Sequence, residues 1–465
     1  MKKLITLFTI ATLAFSLCAC KDETKTDDNS SKNKQNNGLQ QDIVMGSNHE
    51  SEELHFLSSL RADSGCNTEN GYYYLTEDIV KLRDGNYGMH LMYMDFATCR
   101  EIYLCSTSGC GHDSADCPAV FLYDDFPNFS TKLFIYKNQL YILSREYDND
   151  GSANTITIYD SNTFVSPESK PAVLYRANLD GTERKKIYIF DADITLEESV
   201  LGDDNGIYVI TKKLSADKKD NVTYTTSSER KLMFLDIEEG SIKEVCSMNF
   251  GNNISWNVIG CNNGSLILNG IDFGREITQD EKWDDDTYKN LFYEKSYDVY
   301  AVLDLKNGEL NEICRIANKV SHSGCVIGDM MYISYQESQV IESISIDTGE
   351  KKTVCTLEQN LIMDTLGDIL CCRGWDLAKD FTYYFVNTKT GEISHSTLVN
   401  QNNGWNLEFR AELESDVLLV YDYDAKKNND NSYEIYQYKY ALISKADLFK
   451  GNGNYRKIEM LGKGQ

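Results

Sequence analysis

Apolar and polar positions alternate through most of this chain, and the alternation breaks at recurring polar turns. The clearest unit is Tyr300 to Ile316, YAVLDLKNGELNEICRI. Val302, Leu303 and Leu305 lead into Lys306-Asn307-Gly308, and Leu310, Ile313 and Ile316 follow. Period-two alternation on both sides of Asn-Gly predicts a β-hairpin with a type I′ turn, because Asn and Gly tolerate positive φ. The pattern returns as KLMFLDIEEGSIKEVCSM around Gly240 and IESISIDTGEKKTVCTL around Gly349, and more loosely around Gly181 and Gly391.

A second signal is a tight turn followed by a strongly apolar strand. Asn70-Gly71 precedes YYYL, Asn138-Gln139 precedes LYIL, Asn205-Gly206 precedes IYVI and Asn263-Gly264 precedes SLIL. Gly328-Asp329 before MMYI, Gly367-Asp368 before ILCC and Ser415-Asp416 before VLLV complete the set. These starts recur every 40 to 67 residues or roughly so, the range of propeller blades with variable loops. Each lies between a short apolar strand and a later hairpin, which makes four strands per unit. The expected fold is all-β: a β-propeller of four-stranded antiparallel blades, seven by this count, with six or eight also admitted. Composition agrees, since Tyr 30 and Phe 18 against Pro 4 favour strands. No long stretch shows clean helical periodicity.

The first residues set the expected compartment. Lys2 and Lys3 precede an apolar run from Leu4 to Leu17, long enough for a signal-peptide core and too short to span a bilayer. Leu17-Cys18-Ala19-Cys20 closes the run and resembles a bacterial lipobox, which implies that Cys20 becomes the lipidated N-terminus. The expected division is a leader over 1–19, a polar tether over 20–53 and a propeller over 54–465. Residues 21–53 are rich in Lys, Asp, Asn, Gln and Ser and cannot bury enough surface to offset their ordering entropy. The formal net charge is −26, and −28 once Lys2 and Lys3 leave with the leader. A chain so acidic is repelled by nucleic acid and by anionic lipid, so its only expected membrane contact is the anchor.

The repeated unit, with its NG-x-Y-Y/I strand start and D-x-x-TGE-like turn, resembles the TolB-like propellers of bacterial lipoproteins and exported proteins. The resemblance spans nearly everything after the tether. It implies a rigid binding or scaffolding disc and no particular chemistry, because propellers host unrelated functions.

In an antiparallel blade of strands a to d, the a–b and c–d turns share one face, and the b–c and d–a loops share the other. The long segments, Asp148–Pro171, Leu214–Ser228, Phe273–Lys295 and Asp424–Ser432 as b–c loops and Ser106–Ser130 as a d–a loop, all fall on the second face. Loops on a rigid scaffold carry binding residues, so this is the candidate ligand face. Trp283 and Trp375 lie in b–c segments there, and Trp256 and Trp405 open innermost strands. With Asp284, Asp286 and Asp376 beside them, these indoles suit a sugar or a peptide. The competing reading is that the Trp residues pack blades together and plug the channel.

Cys105, Cys110, His112 and Cys117 stand within one loop-rich stretch, EIYLCSTSGCGHDSADCPA. Three thiolates and an imidazole would complete a tetrahedral structural zinc site. Disulfides are the commoner fate of exported cysteines, with Cys66 and Cys99 as further partners, and free thiols remain a third option. Cys246, Cys314 and Cys355 recur in fourth strands, and Cys261 and Cys325 in first strands, as small apolar filler between blades. Cys371-Cys372 is expected to place one thiol inward and one outward. Asp148-Asn149-Asp150-Gly151-Ser152 resembles the start of a calcium loop but lacks the closing Glu, so calcium is not expected. No nucleophile elbow, HExxH motif or phosphate-binding glycine loop occurs, and no catalytic residue is assigned.

The expectation is therefore a membrane-anchored, extracytoplasmic propeller that binds carbohydrate, peptide or another surface protein. The alternative is an extracellular glycan lyase, hydrolase or peptidase that uses carboxylates on the same face.

Overall fold

The computed structural model describes residues 40–46, 54–58, 64–76, 79–123, 131–144, 158–159, 162–163, 171–219, 222–251, 254–278, 280–281, 284–374, 381–402, 404–427 and 433–461. Four-stranded antiparallel sheets follow one another along the chain, spanning 65–103, 131–189, 194–247, 257–317, 322–356, 361–396 and 408–457. In each, the strands neighbour one another in chain order. Each second strand begins at or beside a predicted start: Gly71, Gln139, Ile207, Ser265, Met330, Ile369 and Asp416. The protein is a β-propeller of four-stranded blades.

The sheets pack face to face, which explains why both faces of the central strands are apolar. Leu75 and Leu91 of the first sheet meet Leu133 and Ile142 of the second. Tyr300 and Ile316 of the fourth meet Met331 and Ile333 of the fifth. The last sheet returns to the first: Leu418, Val420, Tyr440 and Leu442 bury against Tyr72, Tyr74, Met92 and Met94. The first strand of the first sheet accordingly touches the first strands of both the second and the last. Full burial of one such side chain is worth about 1.5–3 kcal/mol, so these interfaces dominate the stability of the ring.

The hairpin turns follow the pattern at Gly308 with one correction. Gly308 alone takes positive φ, +77°, and its N–H bonds Asp304 O at 2.8 Å. Gly349 on Ser345 O and Gly391 on Asn387 O repeat the arrangement. This is a type I turn closed by a left-handed glycine, not the expected type I′. The Asp304 carboxylate makes the difference by accepting the Lys306 N–H at 2.8 Å, which holds the first turn residues in right-handed conformation.

Three other expectations change. Residues 214–219 and 222–228, expected as loop, extend the paired strands Ile207–Lys219 and Val222–Asp236, and Asp416–Lys427 pairs with Tyr433–Ser444. Val222, Thr223 and Thr225 are strand formers that nothing interrupts. Within Phe273–Lys295 the chain forms a helix, Asp285–Lys295, capped by Asp284 Oδ1 accepting the Thr287 N–H at 2.9 Å. Its apolar stripe is only Tyr288, Leu291 and Phe292, too narrow to read as a helical period. The last change is in the expected tether. Gln40–Asp42 adds a fifth strand beside Glu309–Ala317, and Ile43 N–H bonds Gly308 O at 2.7 Å. His55–Phe56 then pairs with Leu201–Gly202 of the third sheet's first strand. Ile43 and Leu54 are buried, so the folded part reaches back before Leu54.

The thirteenth and fourteenth cysteines of the chain correct the alternation argument. Cys371 packs between the sixth and last sheets and Cys372 between the fifth and sixth, both fully buried. Strand alternation does send them to opposite faces, but in a propeller both faces of a blade are inside. No helix among the described residues is long and apolar enough to cross a membrane.

Candidate metal centre and ligand rim

Strand Tyr87–Asp95 positions the Cys/His loop. Its second half pairs with Arg100–Tyr103, and its first half pairs with Val120–Leu122 on the same edge. Residues 104–119 therefore leave and return along one sheet edge, pinned at both ends. Short turns fold the loop back on itself: Cys110 N–H bonds Thr107 O, Cys117 N–H bonds Ser114 O, and Val120 N–H bonds Cys117 O. Gly109 at φ +72° and His112 at φ +52° reverse the tip. The result brings together all four predicted residues. One ligand atom from each of Cys105, Cys110, His112 and Cys117 lies within 4.8 Å of the others. His112 Nδ1 stands 3.4 Å from Cys117 Sγ.

The surroundings fix the imidazole. His90 Nε2 donates to His112 O at 2.7 Å, and the Tyr103 ring stacks on the His112 ring at 4.4 Å. Leu82, Ala119 and Val120 form a small apolar floor with Cys117. Burial pushes the Cys117 thiol up to about 12. Burial also opposes ionisation of Cys105, but bonds from Thr107 backbone and hydroxyl and from the Cys117 and Cys110 thiols outweigh it and lower its pKa. Burial and the neighbouring His90 hold His112 below its ordinary value. Cys66 and Cys99 do not join the group. Cys66 is buried between the first and second sheets, and Cys99 packs towards the last. The described cysteines are all free thiols.

Among the described residues, one expected ligand residue is taken out of reach of any ligand. Trp256 is fully buried in the core between the third and fourth sheets, stacked on Phe250, with its Nε1 donating to Phe250 O at 3.0 Å. It cannot present a face to a ligand, which corrects the expectation. The sequence cue that favours this outcome is its setting in ISWNVIG, an apolar strand start. Arg230, almost wholly buried, donates to Trp256 O and pairs with Glu197. Trp405 is the contrary case: 63% exposed, just before the strand Glu408–Glu412. Asp284 caps the helix Asp285–Lys295, and Asp286 lies exposed in its first turn. Trp283, Trp375, Asp376 and Cys20 lie outside the described residues.

A buried ion pair that the motifs did not single out lies at the start of the fifth sheet. His322 Nε2 is 3.0 Å from Asp298 Oδ2, and His322 Nδ1 donates to Val320 O at 2.7 Å. Burial alone would lower the His322 pKa. The Asp298 hydrogen bond, the Val320 carbonyl and the Asp298 charge outweigh it and raise it above 6.5. A raised folded-state pKa means that protonation favours the native state. The His322 contribution should be fully present below pH 6.5 and fade as pH rises through the folded-state value. Denaturant midpoints recorded across that range should fall with rising pH, and the slope should flatten in Asp298→Asn.

No protein-family model matches the sequence, and no curated protein matches it. Solved structures do show similarity. One is an oligogalacturonate lyase in complex with manganese, at 11% identity over 82% of this chain and 94% of that one, with TM-score 0.43. Another is a puromycin-hydrolyzing peptidase of Mycobacterium tuberculosis, at 8% identity over 90% of this chain and 55% of that one, with TM-score 0.45. TolB from Acinetobacter baumannii is similar at 12% identity over 82% and 78%, with TM-score 0.33. Likenesses this distant concern architecture alone, and the propeller assignment rests on the sheets themselves.

Proposed function

We propose that the chain is a lipid-anchored, extracytoplasmic propeller, a ring of seven blades, that binds an extracellular ligand or a surface protein without transforming it. The blade number is supported by the succession of four-stranded sheets and by the apolar interface that returns the last to the first. The anchor is supported by the charged, apolar and lipobox pattern ending at Cys20. The observation that carries the binding reading is Trp405, a large indole left exposed where most large apolar side chains are inside. Carbohydrate and peptide are the ligand classes that an exposed indole serves best. The Cys/His group takes a structural part in this reading and no catalytic one.

The test uses the full chain, with thermal midpoint and intrinsic Trp fluorescence recorded against panels of oligosaccharides and peptides. One ligand class should give a saturable shift. Trp405→Ala should weaken it roughly tenfold, the loss expected for an aromatic contact of about 1–1.5 kcal/mol. Silence across both panels would defeat the ligand-binding reading and leave a protein-interaction scaffold. Turnover of any bound sugar or peptide would replace it with the enzyme reading. Loss of membrane association in Cys20→Ala checks the anchor separately.

A further inference from the structure

We propose that Cys105, Cys110, His112 and Cys117 hold one zinc ion in a closed, structural centre. The case for this site rests on its own donor atoms and does not depend on what the proposed ligand face binds.

The donor set and its spacing carry the argument. Zinc bonds thiolate sulfur at about 2.3 Å and imidazole nitrogen at about 2.0–2.1 Å in tetrahedral geometry. Ligands so arranged stand apart by about 3.8 Å from sulfur to sulfur and about 3.6 Å from sulfur to nitrogen. Here the four donor atoms lie within 4.8 Å of one another and Nδ1 lies 3.4 Å from Cys117 Sγ, so a small contraction of the loop closes the site. Three thiolates with one imidazole select zinc over hard cations such as calcium, magnesium or manganese, which prefer oxygen. Four protein ligands leave no open position for water, so the centre is structural and not hydrolytic.

The imidazole is already aimed. The positive φ of His112, the His90 bond to its carbonyl and the stacked Tyr103 ring together turn Nδ1 towards the sulfurs. Outer partners of this kind commonly orient a metal-binding His. A disulfide accounts for less. Three cysteines cannot pair among themselves without a remainder, and Cys66 and Cys99 sit in other interfaces. Nor would a disulfide explain an imidazole nitrogen set against a thiol.

The centre also bears on how two blades join. Val120 and Phe121, directly after the loop, receive Arg184 of the second sheet's outer hairpin. Its guanidinium donates to Val120 O at 3.4 Å and lies 4.0 Å over the Phe121 ring. Ordering residues 104–119 by a metal therefore also fixes the segment that fastens the first sheet to the second.

The test measures metal on the full chain purified in reducing, chelator-free buffer. Elemental analysis should find about one zinc per chain, and Cys110→Ser and His112→Ala should each lower it about tenfold or more. Cys99→Ser, outside the group, should keep it. Cobalt(II) added to the metal-stripped wild-type chain should give tetrahedral d–d bands with sulfur-to-cobalt charge transfer, a readout that needs no variant to fold. Three results would overturn the proposal: no zinc or cobalt taken up by the wild type, zinc retained in both variants, or a disulfide among Cys105, Cys110 and Cys117 found by mass spectrometry in freshly isolated protein.

Discussion

Trp256→Ala is expected to destabilise the protein by about 3–5 kcal/mol, the range for removing a buried aromatic side chain and leaving a cavity. Nothing nearby can fill the space without shifting, because Trp256 sits fully enclosed between the third and fourth sheets. The loss also frees Phe250 O from its Nε1 donor and strips Phe250 of its stacked partner. Trp405→Ala should change stability by no more than about 0.5 kcal/mol, as an exposed site should. Urea titrations of both variants, with ligand titration where a ligand is found, separate the two roles. Both residues open a first strand and the sequence left both roles open to each, with only the apolar setting of Trp256 in ISWNVIG leaning towards burial. If Trp256→Ala unfolded at the wild-type midpoint, the buried placement would be wrong.

Deleting residues 456–465 is expected to cost roughly 3–5 kcal/mol, because residues 456–461 clamp the ring shut. All four strands of the last sheet come from one stretch of chain, so no strand from the other end completes that blade. What joins them is side-chain burial and the tail. Glu459–Met460 runs parallel to Arg100–Glu101 at the edge of the first sheet. Ile458 N–H bonds Tyr440 O, Glu459 N–H bonds Cys99 O, and Leu461 N–H bonds Glu101 O. Ile458 and Met460 pack against the interface between last and first sheets. Three hydrogen bonds at about 1 kcal/mol each, with two partly buried apolar side chains, set the scale. The exposed pair Arg100–Glu459 adds little. Thermal denaturation should show a lower midpoint in the truncated chain. Limited proteolysis should open first at the seam between the last and first sheets, and cleavage elsewhere would argue against a clamp.

Much of the fold was legible because strand signals are local. A turn that needs a left-handed residue and a strand that must present side chains to both faces leave marks within ten or so residues. The starts at Gly71, Ser265 and Met330 could be placed to within a residue for that reason. Local marks failed where a weak pattern was rescued by distant contacts. The helix Asp285–Lys295 has a narrow apolar stripe and depends on its Asp284 cap and on Tyr288 meeting Phe273. Residues 214–228 read as a loop because they are polar, yet backbone pairing across a hairpin does not require apolar side chains.

The candidate sites divide in the same way. Cys105, Cys110, His112 and Cys117 are close in sequence, so short loop geometry could bring them together, and it does. The Trp and carboxylate set is drawn from different blades, and whether an indole faces a neighbouring blade or water is decided mainly by contacts outside its own strand. By itself the sequence determined the strand repeat, the four-stranded unit and the Cys/His grouping, since each rests on interactions among near neighbours. Only the tertiary structure decided that Trp256 is core while Trp405 is exposed, that both thiols of Cys371-Cys372 are inside, and that residues 40–43 and 456–461 belong to the folded ring. Those outcomes depend on which sheet lies against which, a relation between segments far apart in the chain.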